Sequence, residues 1–160
     1  MSIGIDQIAT VAKPTDIIIC FNNDITFPDE IVEAIIEKIT NDNHLVISPL
    51  SVSPHDGRVI ATGVKVKNWY LGINETPFKE QKFDKISASD LIEVDYLTQR
   101  FMAFQARLIF EAGNYNCKWL PHYGGDYEFT FRAKKSGYNV VIDPAKKVHI
   151  DETATGLNSK

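Results

Sequence analysis

The chain is 160 residues long, 44% hydrophobic and 24% charged, with a formal net charge of −4. That length supports one domain with a real core, and the composition is globular rather than disordered. The acidic balance gives no basic footprint for nucleic acid, two cysteines are too few for a disulfide framework, and no apolar run is long enough to be a transmembrane segment.

The start of the chain lacks the basic region and apolar core of a signal peptide. Cys20 lies in an apolar run and reads as a small core residue, and Cys117 in a polar loop reads as a free thiol, as suits a reducing cytoplasm. Ser2 to Ala12 carries apolar residues at helical spacing and is halted by Lys13-Pro14. Ile17 to Phe21 is an unbroken apolar run, which predicts a strand buried on both faces of a parallel sheet. It ends in Asn22-Asn23-Asp24. Two amides and a carboxylate at a strand's carboxyl end are hard oxygen ligands where a metal or diphosphate would sit. They are equally a turn leading into the next helix.

Pro28-Asp29-Glu30 opens that helix, and Ile31, Val32, Ile35, Ile36 and Ile39 make its apolar face. Leu45 to Ile47 is a short strand halted by Pro49, so strand, helix and strand suggest a parallel βαβ unit. Pro54-His55-Asp56-Gly57 is a turn within a possible hairpin, and Val64 to Lys67 alternates like a half-exposed strand. Trp69 to Ser89 has little pattern. Ile92 to Leu97 reads as a strand bearing Asp95, and Phe104 to Ala112 as a helix closed by Gly113. After Gly124-Gly125 the pattern is helical again, with Lys134 and Lys135 in the last turn and Gly137 beyond it. Tyr138 to Ile142 is a final strand, stopped by Pro144. His149 follows, and residues 151–160 read as a loose tail.

Asp126 stands at the start of the last helix, beside two glycines that admit a ligand to the backbone. It reads either as a base facing a cleft or as an N-cap. Glu128 points about 200° away, since each helical residue turns about 100°. Its spacing to Arg132 favours an ion pair, or it steadies an acceptor. Trp119, His122 and Tyr123 could stack on a sugar ring or pack around their loop. Asp95 is a further candidate on a strand end, and His149 is a lone histidine after a strand. There is no glycine-rich phosphate loop, paired-cysteine metal site or serine nucleophile elbow.

Four stretches together resemble a known family. The apolar strand with Asn22-Asn23-Asp24-Ile25 and Pro28-Asp29 is similar to the Asp-X-Asp-type segment of inverting family 2 glycosyltransferases of the GT-A fold. Val94 to Thr98 with Phe104 to Gly113 resembles their acceptor-side strand and helix. His122 to Phe129, continuing through Arg132-Ala133 to Gly137-Tyr138, resembles their catalytic segment. Asp143-Pro144 and Val148-His149 resemble the stretch that ends the domain.

The resemblance implies a three-layer α/β domain over residues 1–150 with a mostly parallel sheet. It implies sugar transfer from a nucleotide-sugar to an acceptor hydroxyl with inversion, in glycan or cell-surface polysaccharide synthesis. Asp126 would be the catalytic base. Asn22, Asn23 and Asp24 would face the cofactor, with Asp24 and His149 on a divalent cation, manganese or magnesium. The acceptor would be a glycan or a lipid-linked one, which places the intact enzyme in the cytoplasm or peripheral to a membrane.

Three features depart from the family. Asparagine stands where its metal segment often begins with aspartate, and Gln99 stands where glycine is usual. The base-binding strands that open the family's fold do not precede Met1. The chain is therefore expected to be the later part of a catalytic domain, inactive alone and prone to self-association through the uncovered face. A non-catalytic remnant serving binding or assembly, or a sugar nucleotidyltransferase, are the rival readings.

Overall fold

The computed structural model describes residues 2–98, 100–116, 118–120 and 124–150, with the side chains of residues 2 and 3 left aside. The elements run α1 (Ser2–Ala9), β1 (Ile17–Phe21), β2 (Ile25–Thr26), α2 (Asp29–Asn41), β3 (Leu45–Val52), β4 (Val59–Ala61), β5 (Lys65–Asn68) and β6 (Ile73–Glu75). They continue with β7 (Ile92–Glu93), β8 (Phe101–Gln105), α3 (Arg107–Ala112), α4 (Gly125–Lys135) and β9 (Asn139–Ile150). The expected loose tail, residues 151–160, lies outside the described residues.

A mixed sheet in the order β1-β8-β3-β9-β2 forms the middle layer, with β4 joined to β3 and β7 to β9. The α/β class holds, but the sheet is not mostly parallel. Only β3 and β9 run parallel; the other described pairings of this sheet are antiparallel. The reason is β8, an entirely buried run that the sequence pattern assigned partly to a helix. It slips between β1 and β3, antiparallel to both, so those two strands still point the same way with α2 crossing between them. Consequently β1 is an edge strand in this sheet and not one buried on both faces; Phe21 is 49% exposed.

Two cores lie on the two faces. On one, Ile31, Ile35 and Ile39 of α2 pack against Leu45, Ile47, Ala103, Val141, Val148 and Ile150. On the other, Phe129 and Ala133 of α4 pack with Ile5, Ile18, Phe104, Leu108, Val140 and Ile142. Alternation along β8 and β9 feeds both layers.

Both central strands are longer than their prolines suggest. Pro49 and Pro144 were expected to end β3 and β9, yet each strand continues for several residues. Both prolines sit at one irregularity of the parallel ladder, where Pro49 faces Asp143 and Leu50 faces Lys147. A bulge absorbs the missing N–H donors.

Candidate functional site

Phe21 and Phe27 bracket the Asn22-Asn23-Asp24 turn. Their rings meet edge to face at 5.2 Å, and Phe27 meets Phe101 of β8 at 5.0 Å. The Ile25 N–H closes the turn on the Asn22 carbonyl at 3.3 Å, and the Asn22 N–H donates to the Arg100 carbonyl at 3.1 Å. This holds Asp24 in place: it is 8% exposed, whereas Asn23 faces solvent and Asn22 is half-buried. The expected turn is present.

Asp24 Oδ2 receives Arg100 Nη1 at 3.5 Å. Asp24 Oδ1 is buried and meets no donor among the described residues. Two residues on, Thr26 pairs with His149 across β2 and β9. Val148 and Ile150 belong to the core beneath α2, so alternation turns His149 to the face of α4. Its Nδ1 is likewise buried without a partner among the described residues. Orphaned buried polar atoms are uncommon, and water, an ion or a ligand can satisfy them; the Thr62 hydroxyl and the Gln105 amide oxygen are left in the same way. A carboxylate oxygen and an imidazole nitrogen suit a divalent cation of the manganese type. Among the described residues no set of three or more His, Cys, Asp or Glu gathers that could hold a metal ion.

Asp126 lies in the first turn of α4, behind Gly124, whose φ of 81° is left-handed backbone that glycine adopts without strain. Its Oδ1 accepts the Tyr127 N–H at 3.0 Å. A short relay links this turn to Asp24. Thr130 donates its hydroxyl to the Asp126 carbonyl at 2.9 Å and accepts the Leu97 N–H at 3.1 Å. Arg100, which holds Asp24, is three residues further on. Four residues reach at most about 14 Å when fully extended. Ile25, like Val148 and Ile150, packs in the core beneath α2, so alternation turns Asp24 and His149 toward the other face of the sheet. Arg100 was not foreseen, because nothing in its local pattern points to Asp24.

The acceptor-side candidates divide. Glu128 forms the expected ion pair, two-pronged, with Arg132 Nε and Nη2 each at 2.8 Å. Arg132 also caps the end of α3 through the Ala112, Gly113 and Asn114 carbonyls. Its hydrogen bond holds the Glu128 carboxyl below the usual range, against the opposing effect of burial. Asp95 is engaged by Lys134 Nζ at 2.8 Å and the Val66 N–H at 2.7 Å. Burial raises its carboxyl, but those hydrogen bonds and the Lys134 charge outweigh it and leave the group below its ordinary value. Trp119 is 76% exposed on a turn after α3. His122 and Tyr123 lie outside the described residues, as do Gln99 and Cys117.

What the sequence did not suggest is a cleft of about 410 Å³ between α4 and the β5–β6 hairpin. Trp69, Tyr96, Tyr127 and Phe131 form its walls, with Val64, Asn74 and Glu128 completing the lining. Trp69 belongs to the stretch without pattern, and its ring partners are distant in sequence. Cys20, partly buried beside the α4-side core, has its thiol pushed up to about 11 by burial.

The layers, strand order and helix placement are those of a GT-A-like glycosyltransferase fold. One such likeness is to a solved structure of GalNAc-T7 with UDP, GalNAc and Mn2+. It matches with a TM-score of 0.67 over 94% of this chain, at 15% identity. This chain spans 30% of that chain's length. No family model and no curated protein matches the sequence. At that identity the likeness establishes the fold and leaves the chemistry to the residues.

Proposed function

We propose that this domain carries the metal-binding and catalytic end of an inverting, family 2-like glycosyltransferase. It would move a sugar from a nucleotide-sugar donor to a hydroxyl of a glycan or lipid-linked acceptor. The observation that carries the reading is two buried ligand atoms with no partner among the described residues, Asp24 Oδ1 in the turn just before β2 and His149 Nδ1 on β9, opposite Thr26.

Asp24 and His149 are the groups that would hold manganese or magnesium. When bound, such a cation neutralises charge on a departing nucleoside diphosphate. Arg100 steadies the Asp24 carboxylate and presents a second positive charge at the same place. Asp126 takes the proton from the acceptor hydroxyl as its oxygen attacks the anomeric carbon. Attack from the face opposite the leaving group inverts the configuration. Asp95 and Glu128 keep their Lys134 and Arg132 partners and set the position of α4, rather than exchanging protons.

Two measurements test this. Titration with Mn2+ should broaden the His149 ring resonances, and UDP should strengthen the effect. No broadening, or broadening that Asp24→Asn leaves unchanged, overturns the cation site. With a panel of nucleotide-sugars and Mn2+, Asp126→Asn should lower any transfer rate by roughly 10²- to 10⁴-fold while sparing Mn2+ binding. Cation binding with no transfer at all favours the non-catalytic reading of this chain.

A further inference from the structure

We propose that the cleft between the β5–β6 hairpin and α4 is a carbohydrate subsite, with a pyranose ring seated on Trp69 and Tyr127. Its assignment to the acceptor rests on Asp126 as base; the binding itself does not. The rings around the cleft do not stack flat into a filled core. Trp69 stands edge-on to Tyr96, at 88° and 6.1 Å, and tilts 50° from Phe131 at 5.3 Å. Tyr96 and Tyr127 are inclined by 43° at 5.5 Å. Rings set at such angles form walls with an opening between them.

One face of Phe131 is already covered by the Lys135 ammonium at 4.7 Å. Trp69 and Tyr127 remain the open surfaces, 57% and 40% exposed. Aromatic faces attract the polarised C–H groups of a sugar ring, and amphipathic rings suit a ligand with one apolar face and a polar edge. Asn74 and Glu128 on the lining supply the polar edge. Burial pushes the Tyr96 and Tyr127 phenols up, with the nearby Asp95 and Asp126 charges adding to it, so both remain hydroxyl donors.

Position adds a second argument. Tyr127 follows Asp126 in the chain, so the cleft begins one residue from the proposed base. The hairpin carrying Trp69 is fixed at its turn, where Asn68 Oδ1 accepts the Tyr70 and Leu71 N–H groups at 2.9 and 3.0 Å. At its stem Asp95 accepts the Val66 N–H. The Trp69 wall is thus anchored to the same Asp95–Lys134 pair that anchors α4.

The chain's two tryptophans make the test direct. The full chain is titrated with methyl glycosides of glucose, galactose, N-acetylglucosamine and N-acetylgalactosamine, without metal or nucleotide, following both indole N–H resonances. At least one glycoside should move Trp69 and leave Trp119 in place. Trp69→Ala and Tyr127→Ala should each weaken the binding roughly tenfold, followed for Trp69→Ala by the Tyr127 ring signals. Ile36→Ala, on α2 beyond the sheet, should not. Movement of Trp119 alone, no movement of Trp69 with any glycoside, or binding indifferent to both cleft variants overturns the proposal. Cation binding is read separately at His149. Its loss with the Trp69 response intact sinks the transferase reading and leaves the carbohydrate site standing.

Discussion

Two buried carboxylates on opposite faces of the sheet show how structure and site differ here. Asp143, on β9, is fully buried. Lys38 of α2 reaches its Oδ2 at 2.5 Å, and its Oδ1 accepts the Ala145 N–H at 3.1 Å. Asp24, on the other side, is almost as buried but has only Arg100 at 3.5 Å and one oxygen with no described partner. A satisfied buried charge fixes the fold; a half-satisfied one is tolerated where something else completes it. The first ties α2 to the bulge that carries Pro144. The second precedes β2, whose Thr26 pairs with His149, and the His149 Nδ1 likewise meets no partner among the described residues.

Removing Lys38 gives the sharpest contrast. Lys38→Met leaves the Asp143 carboxylate uncompensated in a dry place, and breaking such a pair costs about 3–5 kcal/mol. Urea unfolding should show a loss of that size, while Mn2+ titration at His149 should be unchanged in the folded fraction. A loss below about 1 kcal/mol would mean that Asp143 reaches water or another donor.

Much of this was legible beforehand. The apolar spacing of Ile31, Ile35 and Ile39 gave α2 its buried face, and Gly137 with Lys134 and Lys135 marked the end of α4. The Glu128–Arg132 pair followed from helical spacing alone. These are local patterns. What stayed hidden depends on partners far along the chain. Phe101 to Gln105 becomes a strand because β1 and β3 flank it, while its apolar run also fits the start of a helix. Prolines at residues 49 and 144 look like strand ends until both are seen at one bulge. The aromatic cleft joins Trp69 to rings 27 or more residues away, and Arg100 finds Asp24 across 76 positions. Periodicity carries no trace of either.

A middle case is the Asp95–Lys134 pair, half-buried and joined by Glu93 at 2.8 Å from Lys134. Lys134→Met should cost about 1–2 kcal/mol at neutral pH, because it removes charge-assisted hydrogen bonds to Asp95 and to the Val94 carbonyl. The pH dependence has a definite sign. The Asp95 and Glu128 carboxyls are both held below their ordinary values, 3.8 and 4.5. Their stabilisation is complete above those values and is lost as pH falls through the lower folded ones. Stability measured between neutral pH and strong acid should therefore decline less steeply in Lys134→Met than in the parent chain. An identical acid slope would remove the pair from the list of groups that hold α4.

Asp24 supplies the smallest change in stability and the most telling one. Asp24→Asn keeps the shape and removes the charge, so Arg100 loses an ion pair that is long and partly open to water. One orphaned oxygen is exchanged for an amide that Arg100 can still use as an acceptor. The net effect should stay within about 1 kcal/mol in either direction. Mn2+ broadening at His149 should nevertheless fall sharply, since the proposed cation site loses the Asp24 charge. Lys38→Met and Asp24→Asn then fail in opposite ways, one in folding and one in binding. If Asp24→Asn instead unfolds the domain as Lys38→Met does, Asp24 is a structural carboxylate like Asp143, and the orphaned oxygen is no sign of a site.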